Sequence, residues 1–138
     1  MKTPKVFISE VKAAVEEVTV DDLMVALTQP DVILIDVRES EEYQHGHING
    51  SVNFPRGMLE AKICSHPLLA HHCEEQDAIN DLAQRSVYLI CKTGGRSALA
   101  AKSLTDMGHK YVFSVAGGMD EWQRKQLPLS HENVHRTV

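Results

Sequence analysis

The sequence predicts an α/β fold with a mainly parallel sheet, and three observations support this prediction. Three short runs are apolar on both faces, which is typical of strands buried inside a parallel sheet. They are VILIDV at 32–37, SVYLIC at 86–91 and YVFSV at 111–115. Helical patterns alternate with these runs, which favours a βαβ arrangement. The 138 residues contain no repeat or linker, so we expect one domain over 1–138 with its core at about 17–128.

Helical patterns fill the chain before and between the first strands. Apolar residues at helical spacing predict a helix over 8–18, and Thr19 with Asp22 forms a capping pair for a second one. ESEEYQHG at 39–46 is typical of a short helix with acids in its first turn. GSVNFP at 50–55 is a short strand closed by proline.

The second half repeats the alternation. One or two helical turns are expected in 57–63, and EEQDAINDLAQ at 74–84 predicts a helix. RSALAAKSLTDMG at 96–108 predicts a helix that stops at its glycine, and AGGMDEWQRKQ at 116–126 predicts a turn and a last helix. Residues 129–138 have no pattern, and we expect a loosely held tail.

Composition excludes several classes of function. A net charge of −5 argues against nucleic-acid or anionic-membrane partners. No apolar run approaches the length of a membrane span, and the charged start is unlike a secretory signal, so we expect a cytoplasmic protein. Three cysteines, Cys64, Cys73 and Cys91, argue against a disulfide scaffold. No motif indicates a cofactor, and we expect none.

The stretch ICKTGGRS at 90–97 carries the clearest chemical signal. Cys91 ends a predicted buried strand, the edge at which open α/β sheets bind ligands. Gly94 and Gly95 allow a tight turn whose N–H groups point inward and stabilise a thiolate, the nucleophilic form of cysteine. A strand-end cysteine is more often a packing residue. Its occurrence with two glycines, Arg96 and a helix start favours a functional thiol.

Three stretches together resemble the rhodanese (sulfurtransferase) family, in matching order and spacing. They are LIDVRESEEYQHGHINGSVNFP at 34–55, LICKTGGRSALAA at 89–101 and VFSVAGGMDEW at 112–122. The resemblance covers about 17–128. It implies a three-layer α/β/α domain around a sheet of about five strands. One departure is Asn49, where many relatives have proline; Asn-Gly is itself a strong turn pair.

The resemblance also implies a reaction. Cys91 would attack the outer sulfur of a small anionic donor such as thiosulfate and become a persulfide. A second nucleophile would then remove that sulfur: cyanide in the laboratory, or a thiol or partner protein in the cell. The N–H groups of the following loop would cradle the sulfur; its residues are Lys92, Thr93, Gly94, Gly95, Arg96 and Ser97.

Individual roles follow for some of these residues. Lys92 would attract the sulfite end of thiosulfate, and Arg96 would fix the loop and add charge. Ser97 would cap the helix and donate to the sulfur or the loop. Asp36 and Arg38 match the family's Asp-Val-Arg element, and two interpretations stay open: Asp36 braces Arg96 or the loop, or the two form a buried structural ion pair, which we favour.

Other residues near the predicted site are expected to have structural roles. Glu42 and His47 are expected to serve helix and turn geometry. Gly117 and Gly118 are expected to form a backbone turn beside the site, and Trp122 is expected to pack the last helix.

Two other functions compete with sulfur transfer. Cysteine phosphatases and arsenate reductases also combine a cysteine, a backbone nest and an arginine. Only four residues separate Cys91 from Arg96 here, a ring better suited to one sulfur atom than to a phosphate. The alternative is a non-catalytic or persulfide-carrier module that docks on a partner protein. The retained cysteine and charged loop favour activity.

The segment CSHPLLAHHC at 64–73 raises a metal hypothesis. Its ligands would be Cys64, His66, His71, His72 and Cys73. The spacing matches no closed zinc pattern, so an irregular loop is favoured and no metal site is predicted. A weaker hypothesis makes Cys64 or Cys73 a resolving thiol for modified Cys91.

Overall fold

The computed structural model describes residues 1–131, and its centre is a five-stranded sheet. The strands are β1 (Glu17–Val18), β2 (Ile33–Asp36), β3 (Val52–Asn53), β4 (Val87–Ile90) and β5 (Val112–Val115). Their order is β1-β5-β4-β2-β3, and each neighbouring pair is parallel. The predicted α/β class and the sheet of about five strands are confirmed.

Seven α-helices cover the sheet within the described residues. They are α1 (Pro4–Ala14), α2 (Val20–Ala26), α3 (Ser40–Gln44), α4 (Leu59–Lys62), α5 (Glu75–Leu82), α6 (Gly95–Asp106) and α7 (Gly118–Arg124). Two 3₁₀ turns, Arg56–Met58 and Ile63–Ser65, flank α4. In the part of the chain that the structure describes, no helix has both the length and the apolar character that a bilayer crossing requires.

Alternating side chains of the central strands enter two separate cores. Ile33 and Ile35 of β2 lie in the core that α4, α5 and α6 cover. Leu34, between them, lies in the opposite core with residues of α2 and α7. This alternation explains why the strand sequence is apolar on both sides.

The N-terminal helix lies earlier than the predicted range 8–18. Thr3 caps α1 by accepting from the Val6 N–H at 3.2 Å, and α1 ends at Ala14. Residues 17–18 instead form edge strand β1. Tertiary pairing decides this difference, since the N–H of Ser114 donates to Glu16 O at 2.9 Å. The short helix that follows has the predicted capping box between Thr19 and Asp22.

The predicted loose tail 129–138 lies mostly outside the described residues, which end at 131. Within them, Ser130 forms an antiparallel bridge with His47. The Ser130 N–H donates to His47 O at 2.7 Å, and the His47 N–H donates to Ser130 O at 2.9 Å. The start of this segment is therefore hydrogen-bonded to the turn after α3.

Candidate active site

Cys91 lies at the carboxyl end of β4, with 1% of its surface exposed. Its Sγ accepts backbone hydrogen bonds from the N–H of Gly94 at 3.1 Å and from that of Ser97 at 3.3 Å. Donors aimed at one sulfur favour a negative charge on it. The structure thus places the predicted loop around the predicted cysteine.

The loop needs glycine at its turning point. Gly94, which has φ +105°, is the N-cap of α6, and the helix begins at Gly95; the prediction that Ser97 caps this helix is wrong, because Ser97 lies inside its first turn. A Cβ at Gly94 would also lie 3.3 Å from the backbone N of Gly117. Both the backbone angle and the neighbouring turn therefore favour glycine here.

Ser97 joins the loop to the next strand. Its hydroxyl is fully buried, donates to Gly94 O at 3.2 Å and lies 3.4 Å from the Cys91 Sγ. It also shares a 2.8 Å hydrogen bond with the hydroxyl of Ser114, a β5 residue that the sequence analysis did not identify. This chain of contacts fixes the first turn of α6 under the sulfur.

Arg96 is held by Glu42, not by Asp36. The guanidinium donates two hydrogen bonds to the Glu42 carboxylate, at 2.7 and 3.0 Å. These bonds lower the pKa of Glu42 from its ordinary value to about 2 and raise that of Arg96. Glu42 also accepts from the Glu39 N–H at 3.0 Å, so it has the expected helix role as well.

Asp36 and Arg38 form a buried ion pair with each other. Arg38 Nη2 lies 2.8 Å from the Asp36 carboxylate, and the two side chains are 6% and 0% exposed. Arg38 also donates to Gly46 O at 2.8 Å. Of the two arrangements considered for these residues, the structural ion pair is the one present. It fixes the loop after β2 beside the site.

The first turn of α7 forms the opposite wall. The N–H of Met119 donates to Cys91 O at 2.8 Å, and that of Asp120 donates to Lys92 O at 2.9 Å. A Cβ on Gly118, which has φ +53°, would lie only 2.4 Å from Cys91 O. The predicted Gly-Gly turn is therefore in direct contact with the loop, and Gly118 leaves no room for a side chain.

Lys92 and Thr93 form the exposed side of the loop. The Lys92 ammonium lies 3.3 Å from both carboxylate oxygens of Asp120. Beside it lies a cleft of about 360 Å³. The cleft is lined by Arg38, Glu42, His45, Lys92, Met119, Asp120 and Gln123.

In the histidine-rich segment 64–73, only some of the hypothesised metal ligands lie close together. His71, His72 and Asp81 bring potential ligand atoms within 4.8 Å of one another. Both Asp81 oxygens are already engaged, one by His72 at 2.8 Å and one by Arg85 at 2.9 Å. Of the hypothesised ligands, Cys64, His66 and Cys73 do not belong to this group, which is the one found within residues 1–131.

All three cysteines are free thiols, but their surroundings differ. Burial, aided by the charge of Glu75, raises the pKa of the Cys64 thiol. Cys73 is exposed. Trp122 is buried in the α2–α7 core and donates to Pro128 O at 2.9 Å, as expected for a packing residue.

Comparison with known proteins gives a consistent result. The family model "Rhodanese-like domain" matches residues 19–125. A Bacillus subtilis protein described as a candidate sulfur carrier, YrkF, is 37% identical over 92 residues. The match spans 67% of this chain but only 42% of that protein.

Two solved structures cover nearly the whole chain. The polysulfide-sulfur transferase homodimer of Wolinella succinogenes is 31% identical with a TM-score of 0.68, covering 96% of this chain and 90% of that one. A Rhodopseudomonas palustris protein described as of unknown function and as a candidate tyrosine phosphatase is 30% identical with a TM-score of 0.75. The match covers 94% of this chain and 96% of that one.

Proposed function

Because the chain belongs to the rhodanese-like domain family, we propose that it is a sulfurtransferase that carries sulfane sulfur as a persulfide on Cys91. One observation carries this proposal: the Cys91 Sγ is buried and accepts two backbone N–H groups of a single tight loop. Such a loop stabilises a thiolate before attack and holds the terminal sulfur of a persulfide afterwards.

The proposed reaction has two displacements at sulfur. The Cys91 thiolate attacks the outer sulfur of thiosulfate, a Cys–S bond to that sulfur forms, and the bond to the sulfonate sulfur breaks with release of sulfite. A thiophilic acceptor then takes the terminal sulfur and regenerates the Cys91 thiolate. With cyanide the product is thiocyanate. We propose a thiol or a protein as the cellular acceptor.

The remaining loop residues have supporting roles in this proposal. The bidentate pair with Glu42 fixes Arg96 at the start of α6 and so keeps the loop closed around the sulfur. Ser97 supplies one of the N–H donors, and its hydroxyl anchors Gly94 O. Lys92 is half exposed at the cleft, where the sulfonate of thiosulfate arrives.

Intact-mass measurement tests the proposal. We expect wild-type protein to gain one sulfur atom after thiosulfate and to lose it to cyanide with release of thiocyanate. Cys91→Ala should gain none, while a Cys64→Ser/Cys73→Ser double variant should behave as wild type. Sulfur gain in Cys91→Ala would refute the role of Cys91, and a changed rate in the double variant would support a resolving thiol.

A persulfide carrier that delivers sulfur to a protein is a second candidate. The similarity to the Bacillus subtilis protein described as a candidate sulfur carrier supports it. Such a carrier would form the Cys91 persulfide but release thiocyanate slowly. Transfer of labelled sulfur from loaded protein to a second protein, faster than to cyanide, would favour this function.

The size of the loop opposes a phosphatase. Cys91 and Arg96 enclose four residues, and the two N–H donors already converge on the sulfur. We expect no hydrolysis of p-nitrophenyl phosphate by wild type above the Cys91→Ala background. Measurable Cys91-dependent hydrolysis would favour the phosphatase.

We further propose that residues 1–138 act as one domain in the cytoplasm. Three free thiols support a reducing compartment, since exposed cysteines such as Cys73 oxidise where disulfides form. Fractionation of cells that express the protein, followed by thiol labelling, tests this placement. Recovery in an oxidised, secreted fraction would contradict it.

A further inference from the structure

We propose that Asp120 sets the donor preference of the site, because its carboxylate neutralises Lys92 and so disfavours donors that bear a sulfonate. A donor that is itself a persulfide, and releases a thiolate, would then react better than thiosulfate. This inference rests on the proposed persulfide chemistry of Cys91.

The position of Asp120 is fixed by the backbone. Its N–H donates to Lys92 O at 2.9 Å, in the first turn of α7. Gly118, whose Cβ would overlap the Cys91 carbonyl, keeps that turn against the loop. The backbone bond therefore holds the two residues side by side, and the Lys92 ammonium lies 3.3 Å from each carboxylate oxygen of Asp120.

The other cations around Cys91 are also paired. Arg96 is engaged by Glu42 at 2.7 Å. Arg38 is engaged by Asp36 at 2.8 Å in a buried pair. Within residues 1–131 the three ion pairs that border the site thus carry no net charge. Of these three pairs, only that of Lys92 and Asp120 has both side chains more than half exposed, at 59% and 52%.

This charge balance separates two classes of sulfane donor. Thiosulfate brings two negative charges, and its attack by the Cys91 thiolate releases sulfite. An alkyl persulfide, RSSH, passes its terminal SH to the Cys91 thiolate as the S–S bond breaks, and RS⁻ leaves with the electron pair. The second donor carries less negative charge into the cleft, so the Asp120 carboxylate opposes it less.

The test compares the rate of sulfur loading on Cys91 for two donors, by quenched intact mass. The donors are thiosulfate and the persulfide of 2-mercaptoethanol, which has no charge apart from its sulfur. Asp120→Asn removes the charge and keeps the shape. For an exposed charge a few ångströms away, we expect thiosulfate loading to rise about 3- to 10-fold and persulfide loading to change less than about 2-fold.

Two controls separate charge from structure. Asp106→Asn removes a similar exposed carboxylate, which is paired with Lys102 on α6. It should leave the rate of sulfur loading unchanged with both donors. Asp120→Glu keeps the charge and should keep the wild-type preference. The gain in Asp120→Asn should also shrink as ionic strength rises from about 0.02 to 0.3 M, because salt screens exposed charges.

Equal changes for both donors in Asp120→Asn, or no change for either, would overturn the inference. Loss of the preference in Asp120→Glu would do the same, since it would indicate a role in packing. If wild-type Cys91 loads sulfur from neither donor, the proposed function fails and the inference fails with it. If wild type loads normally and the donor ratio stays fixed in Asp120→Asn, only the inference fails.

Discussion

Gly118 and Gly108 occupy opposite edges of the parallel sheet, and both have positive φ angles, +53° and +107°. At the carboxyl edge, a Cβ on Gly118 would lie 2.4 Å from Cys91 O and 2.7 Å from Lys92 O. At the amino edge, Gly108 follows α6, and a Cβ there would have no atom within 4 Å. A glycine with positive φ thus lies in a crowded site at one edge and in open space at the other.

The polar groups of the two edges differ in the same way. At the carboxyl edge, the buried Ser97 hydroxyl contacts Gly94 O and Ser114, and Arg96 is paired with Glu42. At the amino edge, His109 is 8% exposed, and its Nε2 has no hydrogen-bond partner among the described residues. Helices α6 and α7 begin at the carboxyl edge, whereas α6 ends at the amino edge. The comparison teaches that, of these two sites, only the one at the carboxyl edge has its polar groups and backbone packed closely around one sulfur atom, that of Cys91.

Substituting the two glycines gives the largest expected difference between the edges. Either Gly→Ala change forces a side chain into a positive φ, at a cost of about 1 kcal/mol in unfolding free energy. Gly118→Ala must also displace α7 from the Cys91 carbonyl, and we expect about 2–4 kcal/mol more. Urea unfolding of both variants, with Gly108→Ala as the matched control, measures the difference.

Activity should separate these variants further. If Gly118→Ala folds, displacement of the loop should slow sulfur loading of Cys91 about 100-fold, as expected for misplacement by about 1 Å. Gly108→Ala should load at the wild-type rate. Equal loss of stability and activity in the two variants would show that close contact at the carboxyl edge has no special role.

Removing the charge of Glu42 has the next largest expected effect. Its folded pKa of about 2 lies below its ordinary value of 4.5, so its pair with Arg96 stabilises the fold above about pH 5. That contribution is lost as the pH falls from 5 towards 2. Since about a third of each side chain is exposed, we expect Glu42→Gln to lower the unfolding free energy by about 1–2 kcal/mol at pH 7.

Unfolding at pH 7 and pH 3 tests this prediction. The difference between wild type and Glu42→Gln should shrink at the lower pH. Glu41→Gln, in the same helical turn, is the control, because Glu41 has no ion pair within residues 1–131. A deficit in Glu42→Gln that stays constant with pH would mean that the ion pair with Arg96 is not its source.

His109 gives the smallest expected effect, and it concerns the amino edge alone. Burial lowers the pKa of His109 below its ordinary value of 6.5, so the unfolded chain binds a proton more readily than the folded one. Stability should therefore fall as the pH drops below about 6.5. In His109→Asn, which keeps an acceptor for the Tyr111 N–H, this fall should be smaller.

Denaturant midpoints of wild type and His109→Asn between pH 5 and 7 measure that difference. Sulfur loading of Cys91 should be equal in the two proteins at pH 7, because His109 lies at the edge away from the site. A lower loading rate in His109→Asn would contradict the separation of the two edges.

Local patterns in the sequence were sufficient for much of the fold. The apolar runs predicted β2, β4 and β5, and the pairing of Thr19 with Asp22 predicted the start of α2. The helix at 8–18 was placed too late, because Val18 of β1 continues an apolar spacing that also fits a helix. Only pairing with β5 distinguishes the two.

In the candidate site, the sequence by itself determined the groups that are close along the chain. Cys91 and the loop to Ser97 lie within seven residues, and glycine at position 94 permits the positive φ that turns the N–H groups towards the sulfur. A strand end followed by a helix start brings these parts together locally.

Tertiary structure alone decided which distant residues hold that loop. Glu42 lies 54 positions from Arg96, Ser114 17 from Ser97 and Asp120 28 from Lys92. No local periodicity in the sequence predicts these pairs, because each charged or polar side chain could pair with many others in the chain. The strand order determines which two side chains come close enough to pair. The order β5-β4-β2 sets α3 and α7 on either side of the loop after β4, and this placement selects the partners.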